Sequence, residues 1–177
     1  MQDTTTTIAH YTSTGMIIPQ LRGRTATAVI GELCSTLGRE GVVKDLLPFY
    51  NSVLSLEQIS NTGTSRGIAL PHARVKGLEH PSFAVGRSDD GLDWFGLGAI
   101  RLVFLFAVPD DDSGEYRMLL SGLARLSRTP ALRGALLDAP DSHAFHEILR
   151  QMRVRQARPQ APGTPPPGEK LSPAGCP

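Results

Sequence analysis

The sequence contains little cysteine, no excess of either charge and no long apolar run. Two cysteines occur, Cys34 and Cys176, so the sequence predicts a reduced, cytoplasmic protein without a disulfide framework. Lys and Arg total 18 against 17 for Asp and Glu, and this balance gives no sign of a basic surface for nucleic acid. No apolar run approaches the roughly 18 residues of a membrane span, and residues 1–13 lack the apolar core of a signal peptide. We therefore expect a soluble protein with no nucleic-acid partner and no membrane insertion.

Composition divides the chain into three parts. Residues 1–15 are polar and rich in threonine, which predicts a flexible N-terminus. Residues 16–154 alternate helical periodicity with short apolar runs, and this pattern predicts one α/β domain with helices packed against a single sheet. Seven of the 14 prolines fall between Pro159 and Pro177, so residues 155–177 are predicted to form a disordered, proline-rich tail.

Hydrophobic periodicity predicts the individual elements of the domain. Helices are predicted at residues 26–38, 47–58, 115–127, 130–137 and 142–153, and strands at 16–18, 68–70, 82–86, 92–95 and 100–108, with a turn at 89–91. In the second helix, Phe49, Val53 and Leu56 recur at helical spacing and predict its buried face. The run IRLVFLFAV at 100–108 is continuously apolar, which is typical of a strand buried on both faces.

Two pairs of histidines and a run of aspartates carry side chains that metal ions bind. His143 and His146 are three residues apart on a predicted helix, but no third ligand accompanies them. His72 and His80 also lack companions of a ligand type. The aspartates at 110–112 are not spaced as alternating oxygen ligands and have no closing glutamate. The sequence therefore favours solvated side chains over a metal site, and it predicts no cofactor.

A polar turn, a short apolar run and a proline–histidine pair follow one another at residues 61–72. Pro71 cannot donate to a sheet ladder, so it ends the apolar strand and leaves His72 at the mouth of the sheet. An imidazole nitrogen can attack a phosphoryl group when nearby donors stabilise the transferring oxygens. The turn offers hydroxyl, guanidinium and glycine N–H donors at Thr62, Gly63, Thr64, Ser65, Arg66 and Gly67. The residues alone are also compatible with an ordinary turn that begins a strand.

The string TGTSRGIALPHA at residues 62–73 resembles the signature STGIGxGIAIPHG of one protein family. The family is enzyme IIA of the fructose/mannitol class in the bacterial phosphoenolpyruvate:sugar phosphotransferase system, and it includes nitrogen-regulatory variants. The likeness extends over most of residues 14–152. It implies a mixed sheet flanked by helices. It also implies that His72 accepts a phosphoryl group from the phosphocarrier HPr and passes it to a IIB domain, or acts as a phosphorylation-dependent regulator of a transporter or kinase.

Two positions of the sequence depart from the pattern of this family. The family carries an Arg-Glu pair before the glycine turn, and its arginine assists phosphoryl binding; here the pair is Leu56-Glu57. The second active-site histidine of the family aligns with Tyr116. Arg66 and Arg117 are candidates to supply the missing cation. Two hypotheses follow: a phosphocarrier with regulatory output, or a non-catalytic binding module with a degenerate active site.

Overall fold

A five-stranded mixed sheet forms the centre of the domain in the computed structural model, which describes residues 5–110 and 114–155. The strands are β1 (Thr5–Thr7), β2 (Ile17–Ile18), β3 (Ile68–Ala69), β4 (His72–Val75), β5 (Ser82–Asp93), β6 (Ala99–Pro109) and β7 (Arg153–Arg155). The helices are α1 (Ala26–Arg39), α2 (Leu46–Ile59), α3 (Glu115–Arg128), α4 (Pro130–Asp138) and α5 (Ser142–Arg150), with single 3-10 turns at Ile8–Tyr11 and Thr14–Met16. None of these described helices is long and apolar enough to cross a membrane.

Strand β6 is the central ladder of the sheet. It pairs antiparallel with β5 on one side and parallel with β3 and then β4 on the other, while β2 adds parallel to β5. Its side chains alternate between two cores. Leu102, Phe104 and Phe106 pack with α3, α4 and α5, whereas Val103 and Leu105 pack with α1 and α2. The continuous apolar run thus lies between two helical layers, and the predicted mixed sheet flanked by helices is confirmed.

The predicted turn at residues 89–91 is wrong, because β5 continues as one strand through this segment. Arg87 pairs with Leu102, and Leu92 pairs with Ile100. Between these two pairs, β5 advances by five residues while β6 advances by two, and the extra residues of β5 form a bulge in the ladder. Gly91 supports the bulge with a φ of 76°.

The N-terminal segment differs from its prediction as well. Residues 5–15 are not flexible appendages, since Ile8 and Tyr11 are buried in the core beneath α3 and α5. Strand β1 pairs antiparallel with β7, a strand that the sequence did not predict. The last helix ends at Arg150 instead of residue 153, and Arg155 belongs to β7 instead of the tail. The predicted tail at 156–177 lies outside the described residues, as do positions 111 and 112 of the aspartate run.

Candidate functional site

Pro71 divides one edge of the sheet into two short strands. Residues Ile68 and Ala69 pair with β6, and pairing resumes when His72 lies opposite Phe106. The carbonyl of Pro71 still accepts a hydrogen bond from the Phe106 N–H at 2.9 Å, although the proline has no N–H to donate. The strand ends at Ala69, one residue before its predicted end at residue 70, and His72 begins a second strand, β4.

The imidazole of His72 is half-buried on the side of the sheet that faces α3. Its Nδ1 lies 3.3 Å from the carbonyl oxygen of Leu70. Because a carbonyl oxygen can only accept, this contact favours the tautomer in which Nδ1 carries the proton. The other ring nitrogen, Nε2, then has a free lone pair with which it can act as a nucleophile.

Tyr116, in the first turn of α3, packs against this imidazole. The two ring centroids are 5.7 Å apart, and Phe106 contacts Tyr116 on another side at 5.5 Å. Burial of the Tyr116 hydroxyl raises its pKa well above the ordinary value, and the negative charge of Glu57 raises it further. The hydroxyl therefore stays protonated and remains a hydrogen-bond donor at neutral pH.

Glu57 anchors the polar turn from the C-terminal end of α2. Its side chain is 1% exposed. Oε2 accepts from the Thr62 N–H at 3.1 Å and from Trp94 Nε1 at 2.8 Å, and Oε1 accepts from the Thr62 hydroxyl at 2.7 Å. The predicted buried face of this helix is wrong at one position, Leu56. Glu57 takes the position next to Phe49 and Val53, while Leu56 is 40% exposed.

The same threonine links Glu57 to the histidine. Thr62 Oγ1 accepts from the Leu70 N–H at 3.1 Å, and the Leu70 carbonyl is the group that contacts His72 Nδ1. A chain of contacts thus runs from the buried carboxylate through the Thr62 hydroxyl and the backbone of Leu70, whose N–H and carbonyl lie on either side of its Cα, to the imidazole. This chain fixes the ring orientation and its tautomer.

The rest of the turn uses its polar groups to hold its own shape. The Thr64 N–H donates to the Ile68 carbonyl at 2.8 Å, and the Gly67 N–H donates to the Thr64 carbonyl at 3.0 Å. The Gly63 N–H donates to Asn61 Oδ1 at 2.9 Å. Gly67 has a φ of 76°, and a Cβ there would lie 3.3 Å from the Ala99 carbonyl, so the turn needs glycine at this position.

The tip of the turn lies at the opposite end of the strand pair from His72. The Gly67 carbonyl accepts from the N–H groups of Arg101 and Leu102, whereas His72 pairs with Phe106. Four to five residues of strand correspond to roughly 13–17 Å. Among the predicted residues, the structure therefore brings Thr62 and Tyr116 close to His72 and leaves Ser65 and Arg66 exposed at the far end.

Arg74 is a residue of this site that the sequence reasoning missed. It lies two positions after His72 on β4 and therefore on the same face of the strand. Its Nη1 donates to the carbonyl oxygens of Pro109 at 3.0 Å and Asp110 at 2.6 Å. This ties β4 to the segment that leads into α3, where Tyr116 and the exposed Arg117 begin the helix. The i, i+2 spacing on a strand was the available signal.

No metal site accompanies these residues in the part of the chain that the structure describes, since no three His, Cys, Asp or Glu side chains are grouped there. His80, eight residues after His72, is exposed and contacts the Glu115 carboxylate through Nδ1 at 3.0 Å.

Comparison with known proteins yields one family. The family model described as "Phosphoenolpyruvate-dependent sugar phosphotransferase system, EIIA 2" matches residues 11–152. The fructose-specific EIIABC component of Bacillus subtilis is 33% identical over 125 residues, which cover 70% of this chain and 20% of that protein. The nitrogen regulatory protein of Pseudomonas aeruginosa is 28% identical over 137 residues, covering 76% of this chain and 89% of that protein.

A solved structure with the same fold comes from the complex of enzyme IIAMtl and phosphorylated enzyme IIBMtl of Escherichia coli. It superimposes with a TM-score of 0.64 at 14% identity and covers 77% of this chain and 95% of that chain. At this identity the likeness concerns the fold alone. The Bacillus relative is about five times as long as the segment it shares with this chain.

Proposed function

The chain belongs to the EIIA 2 family of the phosphoenolpyruvate-dependent sugar phosphotransferase system, and we propose on that basis that it is a phosphocarrier with His72 as its phosphoryl acceptor. The observation that carries the proposal is the contact between His72 Nδ1 and the Leu70 carbonyl. It leaves the Nε2 lone pair for attack on phosphorus. The phosphoryl donor is a phosphorylated protein of the HPr type.

The transfer forms one bond and breaks one bond. The Nε2 lone pair attacks phosphorus, and the bond between phosphorus and the donor's nitrogen breaks with its electron pair returning to that nitrogen. The Nδ1 proton stays on His72 and is held by the Leu70 carbonyl. Transfer to the next acceptor repeats the step with the roles exchanged. No proton has to leave the ring, so the site needs donors for the phosphoryl oxygens more than it needs a base.

Two side chains are suited to contact those oxygens. The Tyr116 hydroxyl is a protonated donor beside the imidazole. Arg74 lies one strand period from His72, with the two Cα atoms roughly 7 Å apart along β4. Thr62 acts indirectly by positioning the Leu70 peptide. Gly63, Thr64 and Gly67 hold the shape of the turn, and the exposed location of Ser65 and Arg66 at its tip argues against their contact with a phosphoryl group on His72.

The acceptor of the phosphoryl group is a IIB domain or a regulated transporter or kinase. Two relatives represent these options: one is named as a fructose-specific EIIABC component, and the other as a nitrogen regulatory protein. Leu56 and Tyr116 stand where the resemblance implied an arginine and a histidine, and their presence favours regulatory output over rapid sugar transport. Exchange with an HPr-type protein implies a cytoplasmic location.

Phosphorylation by a reconstituted donor chain tests the proposal. The protein is incubated with phosphoenolpyruvate, enzyme I and HPr, and intact-mass spectrometry follows an acid-labile phosphate. His72→Ala is expected to abolish the label, whereas His80→Ala, a matched control at an exposed histidine, is expected to retain it. NMR of the phosphorylated protein should assign the phosphorus to Nε2. A label that persists in His72→Ala, or an Nδ1 adduct, would show that the assignment is wrong.

A second candidate function is a non-catalytic binding module that retains the IIA surface. The observation that favours it is the packing of Tyr116 against His72, together with the loss of the arginine at Leu56. This function predicts that HPr binds but leaves no label even at high concentrations of donor. Measuring HPr binding and labelling on the same preparation separates the two functions.

A further inference from the structure

A cleft of about 620 Å³ lies between the second half of α3 and the C-terminal strand β7. Its α3 side includes Ser121, Gly122 and Arg125, and its other side includes Gln151, Arg153 and Arg155. The volume falls within the roughly 300–1,000 Å³ of pockets that bind small molecules. The cleft shares no lining residue with the His72 site.

The close contact between α3 and β7 depends on one glycine. A Cβ at Gly122 would lie 2.6 Å from Val154 Cγ1 and 3.0 Å from Ile8 Cδ1, so a larger residue would push the strand away from the helix. Arg125 Nη2 donates to the Arg153 carbonyl at 2.5 Å. Pairing with β1 holds the strand from the other side. The wall formed by β7 is therefore fixed in position relative to α3.

Three guanidinium groups surround the cleft, and no acidic side chain of the described residues pairs with them. Arg125, Arg153 and Arg155 are exposed, and none of them forms an ion pair within residues 5–110 and 114–155. No acidic side chain lines the cleft in this part of the chain. Guanidinium forks match the geometry of phosphate oxygens, and such charge-assisted bonds are about twice as strong as neutral ones.

This charge is carried partly by residues that the family match does not cover. The match ends at residue 152 and begins at residue 11, so both β1 and β7 lie outside it. Two of the three arginines are on β7. The basic cleft therefore lies between a strand pair outside the matched residues and a helix inside them, α3.

We propose that this cleft binds a small phosphate compound with two or more negative charges, such as a nucleotide or a phosphorylated metabolite. The three guanidinium groups contact the phosphate oxygens, and Ser121 and Gln151 supply further polar contacts at the rim. Met118 and Val154, which also line the cleft, contact the apolar part of the ligand. Binding here does not require phosphorylation of His72.

Titration of the full chain with pyrophosphate and with ATP tests the proposal, using calorimetry and amide chemical shifts. Arg125→Gln and the double variant Arg153→Gln/Arg155→Gln are each expected to weaken binding by about tenfold or more, the ratio expected from losing one charge-assisted hydrogen bond. The matched control is Arg22→Gln/Arg39→Gln, which removes two exposed charges near or on α1. This control should bind both probes as the wild type does. In the wild type, the largest amide chemical-shift changes should occur at Ser121 and Gly122.

Several results would overturn the proposal. One is that neither probe binds the wild type at millimolar concentration. Another is that the control double variant weakens binding as much as the cleft variants do. A third is that succinate binds as tightly as the phosphate probes, which would remove the preference for phosphate. Arg125→Gln leaves β7 unaltered in sequence, so it remains informative if the double variant unfolds. His72→Ala should bind both probes normally, which distinguishes this cleft from the phosphorylation site.

Discussion

Replacing Glu57 with glutamine is predicted to destabilise the domain by roughly 2 kcal/mol. The carboxylate accepts three hydrogen bonds, two from Thr62 and one from Trp94. A bond to a charged group contributes about 1.5–3 kcal/mol, compared with about 0.5–1.5 kcal/mol for a neutral pair. The amide keeps one oxygen for the two donors at Oε2, but its NH2 group faces the Thr62 hydroxyl. A loss of about 1 kcal/mol at each bond is partly offset because a neutral group is easier to bury.

Glu57→Ala should cost more, roughly 3–6 kcal/mol, because it leaves the Trp94 indole N–H and the Thr62 N–H buried without partners. Chemical denaturation followed by circular dichroism measures both changes. Trp94 is the single tryptophan and is fully buried, so its emission provides a second probe. Glu79→Gln, at an exposed carboxylate, is the matched control and should change stability by less than about 0.5 kcal/mol. If Glu57→Gln also stayed within that limit, the network would not stabilise the fold as argued.

Three further outcomes are expected. Arg74→Gln should slow phosphorylation by about tenfold or more because it removes a cation near the phosphoryl oxygens. Arg66→Gln should leave the phosphorylation rate unchanged, and equal effects of the two variants in rapid-quench assays would contradict the placement of the turn. Leu56→Arg should raise the rate by up to about a hundredfold if the lost arginine limits transfer, and an unchanged rate would end that explanation. Burial raises the pKa of the Cys34 thiol from 9.0 to about 12, so stability should be fully present below about pH 9 and fall as the pH rises towards 12. In a Cys176→Ser background, iodoacetamide at pH 8 should label the unfolded chain but not the native one, and rapid native labelling would refute the burial.

Sequence patterns predicted the elements in which buried positions recur at a regular spacing along the chain. Strand β6 is apolar at nearly every position because helices cover both of its faces, and α1 has its buried residues at regular helical spacing. The predicted bounds of both elements agree with the structure to within one residue. Local patterns were sufficient here because each element repeats the same environment along its length.

The missed features depend on residues far apart in sequence. Strands β1 and β7 are three residues each, and each becomes regular only by pairing with the other, about 150 positions away. The Asp89-Asp90-Gly91 sequence has the composition of a turn, yet it forms a bulge within β5, whose flanking residues Arg87 and Leu92 pair with β6. Glu57 occupies a helical position that suits an apolar residue, and its hydrogen bonds from Thr62 and Trp94 explain its burial.

The position of His72 next to the sheet edge could be predicted from the sequence, and most of its surroundings could not. The proline–histidine pair located the imidazole because a proline interrupts a sheet ladder for local reasons. The residues that support the ring directly or through Glu57 come from α2, from α3 and from Trp94 just after β5, and no spacing rule connects them. Reasoning from the turn alone therefore did not show that Ser65 and Arg66 are exposed at its tip, or that Arg74 lies on the same strand face as His72.

The pairing of β1 with β7 has a consequence for how this domain can be joined to others. Thr5 lies opposite Arg155, so the two ends of the described fold are about 5 Å apart, the spacing of neighbouring strands. A module attached at either end would emerge from the same place on the surface. A short linker could also join the two ends, and new termini opened in an exposed loop should give a circular permutant that still folds.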